Sequence, residues 1–89
     1  MNKPIIYTDA DDIILAKFYS YDGTVFNGIW EGYYNTSILQ CRGEILNDKR
    51  NGKWIWYNEV GDISAIGSYN DNKKVGLWDY NSYKAFYIN

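Results

Sequence analysis

Asn51-Gly52-Lys53-Trp54-Ile55-Trp56-Tyr57 is the stretch on which the fold turns, because its core recurs on both sides at a fixed distance. Asn27-Gly28-Ile29-Trp30 precedes it and Val75-Gly76-Leu77-Trp78 follows it, so Trp30, Trp54 and Trp78 stand 24 positions apart. Self-similarity at such a period marks a repeat architecture, in which each unit is one supersecondary element that stacks on its neighbours. Other positions keep the same phase: Tyr33 with Tyr57, Gly43 with Gly67, Tyr21 and Ile45 with Tyr69, and Leu15 and Leu39 with Ile63. The chain divides into an N-terminal segment, 1–14, and units 15–38, 39–62 and 63–86 of one domain, 1–89.

Within a unit the apolar residues alternate with a period of two, as Leu39, Cys41, Gly43 and Ile45 do against Gln40, Arg42 and Glu44, which is strand rather than helix patterning. Asp22-Gly23, Asn47-Asp48 and Asn70-Asp71-Asn72 then supply residues that tolerate turn geometry, and a second strand starts at each Gly-x-Trp. Each unit therefore reads as a hairpin. Joined through short turns such as Asn58-Glu59-Val60-Gly61, the hairpins predict an all-β antiparallel meander of six strands in an elongated twisted sheet. Ile5-Ile6-Tyr7 and the stretch from Tyr83 to Ile88 are candidate flanking strands, and no segment reads as a helix.

Composition narrows the function classes. Hydrophobic residues at 46% against 22% charged give a folding chain rather than a disordered one, and the 19% aromatic content supplies large contact surfaces. A formal charge of -2 has the wrong sign for electrostatic binding of nucleic acid. The complete lack of His removes the commonest general base, the nucleophile pairs built on it and most zinc sites, so the chain is not expected to be an enzyme or to need a cofactor or metal. Cys41, the only cysteine, fits a reducing, cytoplasmic setting, and its place in an apolar alternation reads as core packing. No apolar run approaches the length of a membrane helix. Asp9, Asp11 and Asp12 form the only carboxylate cluster and read as a solvated turn, since no phosphate loop or calcium loop accompanies them.

The hairpin residues resemble the MORN repeat, in the variant found in YwqK-like bacterial antitoxins. The resemblance rests on Gly52-Lys53-Trp54-Ile55-Trp56-Tyr57, Gly61, Gly67-Ser68-Tyr69, Lys73-Lys74 and Gly76-Leu77-Trp78-Asp79-Tyr80. It is best over 39–81 and weaker over 15–38, where Tyr19 stands in place of the glycine and Val25-Phe26 in place of the basic turn; residues 1–14 share nothing with it. It implies consecutive hairpins in a single sheet and a role as scaffold, membrane-associated module or antitoxin.

Alternation places Trp30, Trp54, Trp56, Trp78 and Tyr80 on one face, with Leu15, Tyr19, Tyr21, Leu39, Ile45, Ile63 and Tyr69 as neighbours and with Gly43 and Gly67 as sites over which a ring can lie. Trp30, Trp54 and Trp78, with Gly28, Gly52 and Gly76, are the expected structural residues. The other face mixes Phe18, Ile29, Tyr33, Ile55, Tyr57, Ile66 and Leu77 with charges, and Tyr33, Ile55, Tyr57, Leu77 and Arg42 are its candidate partner-binding set. An external protein and a second copy of the chain, giving a homodimer, both suit that face. Lys53, Lys73 and Lys74, together with Lys49 and Arg50, are expected at the rim, either for solubility or to meet phosphate. The leading expectation is a non-enzymatic protein that neutralises a partner: an antitoxin, an immunity protein or a phage-encoded inhibitor of a bacterial toxin, effector or defence enzyme. The alternatives are a nucleotide or small-ligand binder that stacks its aromatics, and a membrane-surface scaffold; the acidic balance speaks against the membrane.

Overall fold

A computed structural model describes residues 3–88. Eight antiparallel strands run in sequence order through one open sheet: β1 Ile5–Thr8, β2 Ile14–Ser20, β3 Gly28–Tyr33, β4 Leu39–Leu46, β5 Lys49–Tyr57, β6 Ile63–Asn70, β7 Lys73–Asp79 and β8 Lys84–Tyr87. The flanking segments are thus strands too, β1 pairing with β2 and β8 with β7. Eight strands spaced about 4.8 Å apart span about 34 Å, so the 37 Å long axis of the molecule runs across the strands. No helix is present among the described residues, and none is therefore long and apolar enough to cross a membrane.

Two kinds of turn alternate along the meander. Asn47 and Asp48, then Asp71 and Asn72, have positive φ at both central positions, the type I′ geometry whose twist matches that of paired strands. The turns between units close differently. Asp9 accepts from Asp12 N and Asn58 accepts from Gly61 N through their backbone carbonyls, with Asp12 and Gly61 left-handed. Their side chains reinforce the bend: Asp9 Oδ1 accepts from Asp11 N and Ile13 N, and Asn58 Oδ1 from Val60 N and Asp62 N. The carboxylate of Asp9 is thus used in capping its own turn.

The core lies on one face and is built from rings over glycines. Trp54 is 2% exposed and Trp78 1%. A Cβ on Gly43 or Gly67 would overlap the indole of Trp54 or Trp78, so each ring lies flat on the backbone of the adjacent strand. Each indole also donates to the carbonyl of the residue after that glycine, Trp54 Nε1 to Glu44 O and Trp78 Nε1 to Ser68 O, both at 3.0 Å. Tyr69 stands edge-on between the two indoles, 5.9 Å from one and 5.0 Å from the other, a favourable quadrupole arrangement.

Gly52 and Gly76, the glycines of the second and third Gly-x-Trp, both have φ +68. They sit where the pairing slips: Gly43 opposes Trp54 but Glu44 opposes Asn51, and Ile66 opposes Asp79 but Ser68 opposes Val75. Gly28 has a different role. It pairs regularly with Ser20, and a Cβ there would meet the backbone of Tyr19 and the ring of Phe18.

That difference corrects the expected facing of the first unit. Without the slip, and with a loop over 21–27, Trp30 opposes Phe18 rather than Tyr19. Ala16 and Phe18, each 2% exposed, therefore pack on the tryptophan side, while Leu15, Tyr19 and Tyr21, expected there, are exposed. Phe18 is accordingly not part of the second face. A one-residue offset in spacing exchanges the two faces of a strand, which is the physical reason the exact 24-residue alignment misplaces β2. Ile63 is likewise exposed, at the start of β6.

Gly43→Ala is expected to destabilise by about 1–3 kcal/mol through overpacking, and Trp54→Ala by about 3–5 kcal/mol. In the double variant the Gly43→Ala cost should largely vanish, because the ring it displaces is gone. Urea unfolding of the four proteins checks this; additive losses would contradict the contact.

Candidate functional site

Among the described residues no second layer covers the tryptophan side, and two clefts open on it. One, of about 510 Å³, has Trp56, Tyr69, Lys74, Trp78, Tyr80 and Tyr83 in its walls. The other, of about 310 Å³, is bounded by Trp30, Cys41, Ile45, Arg50, Trp54 and Trp56. They are copies of one design: Cys41, Ile45, Arg50, Trp54 and Trp56 of the smaller cleft become Ala65, Tyr69, Lys74, Trp78 and Tyr80 of the larger, each 24 positions later.

Each cleft carries one cation from a basic turn. Arg50 lies over the Tyr69 ring, its Cζ 4.5 Å from the centroid, with Nη1 donating to the phenol oxygen at 3.5 Å. Its backbone is fixed by Asn72, whose Oδ1 accepts from Arg50 N at 2.7 Å and whose N donates to Arg50 O at 3.1 Å. Lys74 Nζ lies 4.8 Å from the Trp78 ring, 5.2 Å from Tyr80 and 5.4 Å from Tyr87, and donates to Tyr80 Oη at 2.8 Å. That hydrogen bond raises the Lys74 pKa against the opposing effect of burial, so the group stays charged. Lys74 is therefore on the aromatic face and not at the rim. Lys53 opposes Ser68 on the second face, and Lys49 and Lys73 stand at turns as expected. Burial pushes the Cys41 thiol up, away from the reactive thiolate.

The charges are segregated between the faces. The strand carboxylates Glu31, Glu44 and Asp79 all lie on the second face, opposite Arg42, Ile29 and Ile66. The ion pairs among the described residues are Arg42–Glu31, Lys49–Asp71 and Lys84–Asp79, so neither Arg50 nor Lys74 has a carboxylate partner there.

On the second face the candidate partner-binding residues are spread across four strands, β3, β4, β5 and β7. Tyr33 and Arg42 come together on Glu31: Tyr33 Oη donates to Oε1 at 2.9 Å and Arg42 Nε to Oε2 at 3.2 Å. Lys17 Nζ stands 5.6 Å over the Tyr33 ring. Ile55 opposes Arg42 and Ile66, Tyr57 opposes Ile63, and Leu77, 56% exposed, opposes the exposed Phe86 at the far end. Glu44 is held below the usual carboxylate range by hydrogen bonds from Asn51 and Tyr21. The carboxylates of this face are thus each held by a neighbour, whereas Lys17 and Lys53 on the same face have no ion-pair partner among the described residues. Sequence reasoning missed Arg50, Trp56 and Tyr80 as cleft walls; the available signal was the recurrence of a basic residue four positions before Trp54 and Trp78. No group of three or more His, Cys, Asp or Glu side chains among the described residues is placed to hold a metal ion.

No family model, curated protein or solved structure matches the chain.

Burial, followed by the Glu31 hydrogen bond and charge, raises the Tyr33 phenol from 10.0 to about 12. The folded state therefore holds this proton longer than the unfolded chain does, so its contribution is intact below pH 10.0 and is lost as pH rises towards about 12. Urea midpoints measured across that interval should fall less steeply in Tyr33→Phe than in the parent. Equal slopes would contradict the assignment.

Proposed function

We propose that the chain is a non-enzymatic protein-binding module that neutralises or inhibits a partner in the cytoplasm, and that it does so through the cationic aromatic face. The observation that carries this reading is the pairing of open aromatic clefts with two cations that have no carboxylate partner among the described residues. Trp, Tyr and Arg are the side chains that dominate affinity at protein interfaces, and a fully desolvated cluster of them outweighs a larger area of neutral contact. The partner classes that suit it are a toxin, an effector or a defence enzyme, consistent with the resemblance to antitoxin-type MORN hairpins and with a chromosomal antitoxin or a phage-encoded inhibitor.

A nucleotide reading draws on the same two cations but is less well served. Tyr80 already stacks with Trp78, at 6.0 Å, and with Tyr83, at 5.0 Å, so part of its ring surface is taken up by contacts within the chain. A lone cation per cleft also offers less than the several converging donors that phosphate recognition uses.

Capture of the partner from cells that naturally make the chain, repeated with variants, tests the reading. Trp56→Ala and Arg50→Glu should weaken retention at least about thirtyfold, equivalent to about 2 kcal/mol, with unchanged melting for Arg50→Glu. Ile55→Lys and Tyr57→Ala should retain the partner. The reverse pattern would place binding on the second face, and loss of a dimer in light scattering with Ile55→Lys would mark that face as a self-association surface.

A further inference from the structure

The sheet ends in two unlike edges. At one, β1 carries features that blunt an edge: Pro4 stands immediately before it with no N–H to donate, and its ladder slips between Tyr7 and Thr8. At the other, β8 runs in unbroken register against β7 and contains no proline. Among the described residues β7 is its only neighbour. Tyr80 N donates to Tyr83 O at 2.9 Å, so these two residues form the hydrogen-bonded pair that closes the last turn. Such pairs alternate along an antiparallel ladder, which makes Trp78 with Ala85 and Gly76 with Tyr87 the next two. The backbone N–H and C=O groups of Lys84 and Phe86 therefore point away from β7, to the open edge, where they call for another strand.

The side chains of β8 select that strand. Tyr87 opposes Gly76 as Tyr69 opposes Gly52, so β8 is the counterpart of β6, with Ala85 in the place of Gly67. Gly67 is where the indole of the following strand lies, and a Cβ there would overlap it. Ala85 carries that Cβ, so the strand beyond β8 is not one that lays a tryptophan on it, which excludes a further Gly-x-Trp hairpin. A second β8 meets the condition. Turned antiparallel about a two-fold axis at Phe86, it sets each Ala85 against a Tyr87 and exchanges both N–H···O bonds between the two Phe86 residues. The cross-strand pair Leu77 and Phe86, 56% and 69% exposed, then continues into the same pair of the second copy as one apolar row across the axis. The one charge of the strand, Lys84, lies 4.0 Å from Asp79 of its own chain and about 14 Å along the strand from the other Lys84, so like charges do not meet. We infer that the chain forms a symmetric dimer by pairing β8 with β8 of a second copy about Phe86, which joins the two sheets into one. The axis stands normal to the sheet, so both aromatic faces lie on the same side, with the two larger clefts nearer the axis than the smaller ones. A partner that itself comes in two copies can then be held at two sites at once.

Light scattering over a concentration series of the intact chain tests this, and a dimer is expected. Phe86→Lys, which brings two ammonium groups together at the axis, should weaken it at least about tenfold. Phe86→Pro should do the same, because it removes a donor that β7 does not use, and circular dichroism should show both variants folded. Cross-linking reads the position of the axis. The two Phe86 Cα atoms are about 5.5 Å apart in such a pair, within reach of a disulfide, so Phe86→Cys should form a covalent dimer on mild oxidation and Lys84→Cys should not. Should either Phe86 variant fail to fold, that cross-linking pattern decides. A monomer throughout the series overturns the inference, as do equal cross-linking at both positions, a dimer that ignores Phe86→Lys and is lost with Ile55→Lys, or growth beyond two copies that Ile6→Lys on β1 arrests.

Discussion

The indole rings of Trp54 and Trp78 lie on the backbone of Gly43 and Gly67, and the rest of the molecule is arranged around that contact. A single open sheet has no second layer to bury its side chains, so it needs another way to keep large rings from water. Removing the side chain beneath the ring lets the indole press onto the neighbouring strand and lets its N–H reach a carbonyl there. The same contact locks strand to strand, because ring and glycine belong to adjacent strands and a slip of one residue would put a Cβ under the indole. The left-handed Gly52 and Gly76 then take up the two extra residues on the tryptophan strand, and because that number is even Arg50 and Lys74 keep the facing of Trp54 and Trp78.

Packing of this kind leaves the outer surface of the aromatic layer open. Trp56 and Tyr80 stack on the buried indoles, at 6.1 and 6.0 Å, and become the walls of the clefts. The rings that hold the sheet together and the rings that wall the clefts are therefore successive members of one stack. The cations follow the same logic. On the second face each strand carboxylate has a nearby donor, whereas Arg50 and Lys74 rest on ring faces and phenol oxygens, which hold a cation in place without neutralising it.

Much of this architecture was legible in the chain. The triple Gly-x-Trp and the period-two alternation gave hairpins in a meander, and Gly43 and Gly67 could be read as seats for rings. The facing of β2 was not legible, because it depends on the connection over 21–27 being seven residues long where the other two hairpins have two-residue turns, and Gly28 reads the same as Gly52 and Gly76 while adopting a different backbone. Lys74 was read as a rim residue for another reason. Four positions before Trp78, it shares that ring's face by alternation, and its nearness to the turn had placed it at the rim instead. The clefts also required three dimensions, since Trp56 and Tyr83 lie far apart in sequence and share a wall only through the pairing of β5, β6 and β7.

Hydrogen exchange at the indole N–H groups, followed by NMR, tests the ring-on-glycine contact most directly. Trp54 and Trp78, each donating to a strand carbonyl beneath a covering ring, should exchange slowly, close to the rate set by global unfolding. Trp56, half-buried at the cleft wall, should exchange far faster. Rapid exchange at Trp54 and Trp78, at rates matching Trp56, would mean that the rings do not lie on the glycines and that the aromatic face is organised in another way.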